Sequence, residues 1–238
     1  IADDAVVTAA STTFDTTNNG VLPAGANITF GKTLNGLADN AQAVTLNAGT
    51  SGQVQATGLV GNTHSLSTLT LTHSHGAIFS SDVKADTAVV LSNTVAGQTI
   101  RFAGDLTTPA LTTTANGYNL ELLGTSTSIT NNTTFLNTGS LTLGNAAADA
   151  LSFAGGLTAT TPSAISAAGH ISTSGVGVLT LGDSTTALTL ADNVWLTTAG
   201  GAVHVDGAVN GTTANTQSLT LDASSTGAVS VTGAVGQS

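Results

Sequence analysis

Short alternating segments recur along the whole chain. Val44-Thr45-Leu46, Leu69-Thr70-Leu71, Leu141-Thr142-Leu143, Leu179-Thr180-Leu181, Leu188-Thr189-Leu190 and Leu219-Thr220-Leu221 share one form, aliphatic–Thr–aliphatic. A period of two puts the aliphatic pair on one side of a β-strand and the Thr on the other. Thr, Val and Ile also favour the pleated, half-buried surface of a sheet. Clusters such as Asn47-Ala48-Gly49-Thr50-Ser51-Gly52 bound these segments. Such residues tolerate positive φ or bond locally to the backbone, and so turn the chain. Charged helix formers amount to Glu121, Lys32, Lys84 and Arg101. The Ala-rich stretch 145–150 is expected to form one helical turn at most.

The alternation is itself repeated. Residues 43–63 align without a gap on 218–238, with 9 of 21 positions identical, among them Leu46/Leu221, Gly52/Gly227, Val54/Val229 and Val60/Val235. Residues 201–209 align on 227–235 at an offset of 26, with 7 of 9 identical. A third group is Ile28-x-Phe30, Ile100-x-Phe102 and Leu151-x-Phe153, each with a Leu four residues after the Phe (Leu34, Leu106, Leu157). Short strands, polar turns and a period in the twenties predict an all-β parallel solenoid, in which stacked coils bury a columnar core. At about 20–26 residues per coil the chain makes about 9–11 coils. The expected organisation is an N-terminal arm or first strand over 1–20, able to pair with another subunit, then one continuous solenoid over 21–238. The stretch 107–139 reads as irregular and richer in loops. Pro109 lacks an N–H and belongs at a corner or strand start.

Composition removes several function classes. The 238 residues carry 3 Lys+Arg against 13 Asp+Glu, a net charge of −10. Three cations cannot neutralise a phosphate backbone, so nucleic acid is excluded as a partner. Cysteine is absent, which excludes disulfides and thiolate metal sites. No apolar run reaches the ~18 residues of a membrane helix, and no membrane insertion is expected. Methionine is also absent, so the expectation is that an initiator was removed or that the chain is a segment of a longer product. Scarce charge and absent cysteine fit an exported bacterial protein.

The strings Asn27-Ile-Thr-Phe30, Ala43-Val-Thr-Leu-Asn-Ala-Gly49, Gly52-Gln-Val-Gln-Ala-Thr-Gly-Leu-Val-Gly61 and Ser65-Leu-Ser-Thr-Leu-Thr-Leu71 resemble the β-strand repeats of very large bacterial surface proteins. These are the filamentous-haemagglutinin-like exoproteins and giant repeat adhesins. The resemblance implies secretion to the bacterial cell surface, a right-handed parallel β-helix, and a role in adhesion, surface layers or extracellular fibres. It brings no catalytic motif.

Candidate sites are few. His73 and His75 alternate on a strand, so both imidazoles could face one metal, with His64 or Asp82 as a third ligand. Two ligands bind weakly, and the ordinary alternative is a pair of surface histidines; no metal or other cofactor is assigned. Asp82, Asp86 and Asp105 with Arg101 would suit a polysaccharide-cleaving β-helix enzyme. The alternative is four exposed turn residues, and the expected function is non-enzymatic. Thr68, Thr70 and Thr72 would match an ice lattice if such rows recurred in register, and no recurrence is legible in the triplets. Trp195 and Tyr118 are the aromatic candidates for stacking on a glycan of a host or neighbouring cell. End-to-end association with itself or with further repeats would use Ala5, Val6, Val7 and Phe14 at one end and Val231 and Val235 at the other. The repeat stops in mid-pattern at 238, and an uncapped end exposes unpaired backbone groups.

Overall fold

A computed structural model describes residues 1–236, and all of its regular structure is strand. Every named strand pairing is parallel. Each coil visits three faces in the same order. The first face runs from Ala5–Val7 through Leu34–Gly36, Val60, Val83, Leu106–Thr108, Ser126–Ile129 and Ala150–Phe153 to Ile171, Leu196 and Leu219–Asp222. The second runs from Ser11–Asp15 through Ala43–Asn47, Leu66–His73, Val89, Ala110–Thr113, Thr133–Thr134, Leu157–Ala159, Leu179–Leu181 and Val203–Val205 to Val229–Val231. The third is read at Ile28, Val54, Ala77, Ile100, Leu120, Leu141, Ile165, Leu188, Val209 and Val235.

Ten rungs therefore stand on each face. Eight coils carry named strands on all three faces; in the third and the tenth, a single bridge at Val60 or Val235 takes the place of one strand. Steps on the third face range from 20 residues (Ile100 to Leu120) to 26 (Ile28 to Val54). The longest step on the second face is 32 residues, Ser11 to Ala43, because residues 16–27 loop out before the third face. Nine steps of ~4.8 Å give a rod of ~43 Å.

The core follows from the alternation. Strand Ile28–Phe30 is buried–exposed–buried, as are Val54–Ala56 and Ala77–Phe79. Inward residues of successive coils lie one rung apart and form continuous apolar columns. Phe79 and Phe102 stack on adjacent rungs, with centroids 4.8 Å apart and planes 7° apart. Phe14 meets Phe30 edge-on at 5.1 Å, and Phe135 meets Phe153 likewise at 6.0 Å. Offset or edge contacts of this kind add to the area term.

Within 1–20, where an arm or first strand is expected, Ala5–Val7 and Ser11–Asp15 pair with Leu34–Gly36 and Ala43–Asn47 as the first coil. Pro109 lies at the corner between Leu106–Thr108 and Ala110–Thr113. Within 107–139 the first-face and third-face strands keep steps of 20–24 residues (Ile100 to Leu120, Ser126 to Ala150). The irregularity there is confined to the second face, where Ala110–Thr113 and Thr133–Thr134 are not joined by a regular ladder. The buried Thr113 hydroxyl bridges the gap, donating to Thr134 O (3.3 Å) and accepting from Leu136 N (2.7 Å). Residues 145–150 form no helical turn. The Asp149 carboxylate accepts from Asn145 N and Ala146 N (2.8 and 3.0 Å), holding a tight bend instead.

Phe102 tests the column. It is 1% exposed and fills one cross-section between Phe79 and Leu122. Phe102→Ala is expected to cost about 3–5 kcal/mol, the range for emptying a packed aromatic site. The exposed Thr107→Ala at the start of the next coil is expected to cost under about 0.5 kcal/mol. Urea denaturation followed by circular dichroism measures both.

Candidate functional site

Many polar side chains join one coil to the next. At each corner the chain leaves the sheet and a backbone N–H loses its ladder partner, so another acceptor is needed. Asp and Asn supply it from the coil before. Asp4 accepts from Thr33 N at 3.1 Å, Asn27 from Gln53 N at 2.9 Å and Asp39 from Ser65 N at 3.0 Å. Asp82 accepts from Asp105 N at 2.9 Å, and Asp105 in turn from Ser126 N at 2.7 Å. Asn119 and Asn193 do the same for Ser140 N and Ser218 N, each at 2.9 Å. Asp4, Asp39, Asp82 and Asp105 are thus corner acceptors, placed where the repeat needs a turn. Glycine serves the same corners differently: a Cβ on Gly104 would run into the Ser81 and Asp82 backbone of the coil before.

This accounting locates the carboxylate candidates. Asp82 and Asp105 bind successive corners, while Asp86 takes the Ser65 hydroxyl and lies 3.8 Å from Lys84. Arg101 stands in mid-strand on the third face, not in a turn, and its Nε donates to Glu121 on the next rung at 2.5 Å. The carboxylate beside it holds the guanidinium pKa above its ordinary value, through that hydrogen bond first and Coulomb attraction second.

His73 and His75 are both half-buried and flank the buried Ser74, whose hydroxyl pairs with Thr94 Oγ1 at 2.8 Å. Neither suggested third ligand joins them: His64 Nδ1 lies 3.4 Å from Asp39, and Asp82 is committed to Asp105 N. Among the described residues no group of three His, Cys, Asp or Glu could hold a metal.

The two aromatic candidates separate. Tyr118 is withdrawn as a glycan platform, because its ring is 0% exposed. Its hydroxyl accepts from Thr114 N (3.2 Å) and donates to Leu91 O (3.3 Å), and burial raises its pKa. Trp195 is 49% exposed on the first face and lies on the His170 ring of the previous rung, centroids 4.7 Å apart. A groove of about 300 Å³ beside it is lined by His170, Asn193, Ser218 and Thr220.

At the ends, Val7 is buried, Val6 is 55% exposed and Phe14 is half-buried on Phe30. In the tenth coil Val229, Val231 and Val235 are 48%, 37% and 64% exposed. Val203 and Val205, their partners one coil earlier, are 0% exposed.

Thr does recur in register, contrary to the reading of the triplets. The central outward position of the second face holds Thr13, Thr45, Thr70, Val90 and Thr112, then Thr134, Thr158, Thr180, His204 and Ser230. The column has a single Thr at seven of its ten rungs and not a row of three, so it emerges only when the coils are superposed.

Comparison with known proteins finds no matching family model, no similar curated protein and no similar solved structure.

The corner acceptors make a pH prediction. The carboxyl pKa values of Asp4, Asp15, Asp39 and Asp183 are lowered, chiefly by hydrogen bonds from Thr33, Thr17, Ser65 N and Thr185 N respectively. A lowered folded pKa contributes stability that is complete above the unfolded value, about 3.9, and is lost as pH falls through the folded value. The thermal midpoint is therefore expected to fall as pH drops below about 4. Asp39→Asn keeps the Oδ1 acceptor for Ser65 N but cannot titrate, so it should lose less over that interval than the parent. Melting by circular dichroism between neutral and strongly acid pH measures the difference.

Proposed function

We propose that the chain is a non-enzymatic, extracellular structural module: a solenoid segment of a bacterial surface fibre, surface layer or adhesin that continues or self-associates end to end. The observation that carries this reading is the stack of parallel rungs, whose inward residues form continuous apolar columns along the rod. A strand edge with apolar neighbours is a template for another strand, so association would set a coil of one copy against a coil of another with the same period and face order.

Supporting the role in general is the parallel solenoid itself, which turns sequence length into rod length with little charge and no cysteine. The likeness to filamentous-haemagglutinin-like repeats rests on the strings given above and on this architecture. Export is supported by composition alone. Stacking pairs the strand edges of interior coils except between Ala110–Thr113 and Thr133–Thr134, which suits a filament that must resist proteolysis, and 3 Lys+Arg leave few sites for trypsin.

The test is assembly. Light scattering after size exclusion and negative-stain imaging are expected to show linear, concentration-dependent oligomers, which Val231→Asp with Val235→Asp reduces to monomers. A rod that stays monomeric at every concentration removes the association reading.

A second reading, binding to ordered water or ice, is favoured by the Thr column on the second face. Hydroxyl and methyl groups repeat there at the ~4.8 Å rung spacing without charge as far as His204. The expected result is thermal hysteresis at millimolar protein, lost on Thr112→Lys with Thr134→Lys. Coincident freezing and melting points removes this reading.

A further inference from the structure

On the third face, across the second, third and fourth coils, long polar side chains from neighbouring rungs gather around one groove. Gln55, Ile78 and Arg101 occupy the same outward position on three successive rungs. Gln53, His75 and Gln98 project beside them from the turn that precedes each strand, and the side chains surround a groove of about 250 Å³. The amides of Gln53, Gln55 and Gln98 and the imidazole of His75 have no hydrogen-bond partner among the described residues. The other two described glutamines both bond within the chain: Gln42 Oε1 accepts from Leu37 N and Ala38 N, and Gln217 accepts from Thr213 N while donating to Thr212.

We infer that this groove binds a short stretch of a neutral glycan laid along the solenoid axis. Each primary amide offers two donors and an acceptor at fixed spacing, and the imidazole offers one of each. That set matches a ligand with neighbouring hydroxyls that both give and accept. Three rungs span ~10 Å, which fixes a short ligand. Charge argues against an acidic one: Glu121 already pairs with Arg101, and the chain carries a net −10. Ile78, 40% exposed between Gln55 and Arg101, gives an apolar floor for the C–H face of a sugar ring. An apolar ligand would leave the three amides unpaired, at the desolvation cost that opposes such burial. The inference goes beyond the structural reading and does not depend on end-to-end association.

The test is a titration of ¹⁵N-labelled protein, followed by NMR, with three tetrasaccharides: maltotetraose, the β-1,4 tetramer of N-acetylglucosamine, and tetragalacturonate. The parent and the Val231→Asp/Val235→Asp variant are both titrated, so that a loss of assembly and a loss of binding are read separately. At least one neutral tetramer is expected to shift the side-chain amide signals of Gln53, Gln55 and Gln98 and the backbone signals of His75 and Ile78, with a Kd of about 1–10 mM. Gln55→Ala with Gln98→Ala is expected to weaken it about tenfold or more while the spectrum elsewhere is unchanged. Shifts centred on Trp195 and His170, tighter binding of tetragalacturonate, or no shift from any tetramer up to about 10 mM would each overturn the assignment.

Discussion

Everything in this molecule depends on the parallel ladder closing at the same place once per coil. Rungs ~4.8 Å apart satisfy the strand backbone and set inward side chains in contact with their counterparts above and below. The core is consequently one-dimensional: its cross-section is fixed, and length adds coils without adding thickness. A narrow core explains the composition. Leu, Val, Ile and a few Phe fill it, as in the Phe79–Phe102 stack, and no long amphipathic side chain is needed to cover a broad surface.

Corners are where such a fold is vulnerable, and their chemistry absorbs nearly all the polar specificity. A turning chain strands backbone N–H groups, and Asp82, Asp105 and Asn119 recover them from the next coil. Glycine at positions such as Gly104 lets successive corners approach as closely as the strands do. The acidic character of the chain is therefore largely a by-product of corner construction. Of the three carboxylates Asp82, Asp86 and Asp105, the first and last accept from the coil above, and Asp86 accepts from Ser65 of the coil below. The groove at Gln53, Gln55 and Gln98 departs from this pattern, because its amides have no hydrogen-bond partner among the described residues.

The irregular part of the sequence illustrates how the ladder absorbs variation. Between Ala110–Thr113 and Thr133–Thr134 the second face lacks regular pairing, yet the other two faces continue through the same coils. Thr113 fills the gap with its hydroxyl, donating and accepting as a backbone amide and carbonyl would. A solenoid held on three faces tolerates a fault on one.

Alternation and turn composition made the strands, the coil length and the parallel solenoid legible from residues alone, since both are local consequences of side-chain direction and φ preference. The face each strand joins was not legible. The 43–63 and 218–238 repeat is displaced by one face: Val44–Leu46 lies on the second and Leu219–Leu221 on the first, Val54 on the third and Val229 on the second. The three faces are written in the same code, so an offset of 175 residues is not a whole number of coils. Turn length decides the face, and turn length becomes meaningful only once the ladders are closed. For the same reason the burial of Tyr118, the Thr column and the free-amide groove emerged only in three dimensions. Each depends on which residues of different coils share a rung position, and that is set by the summed length of every turn between them.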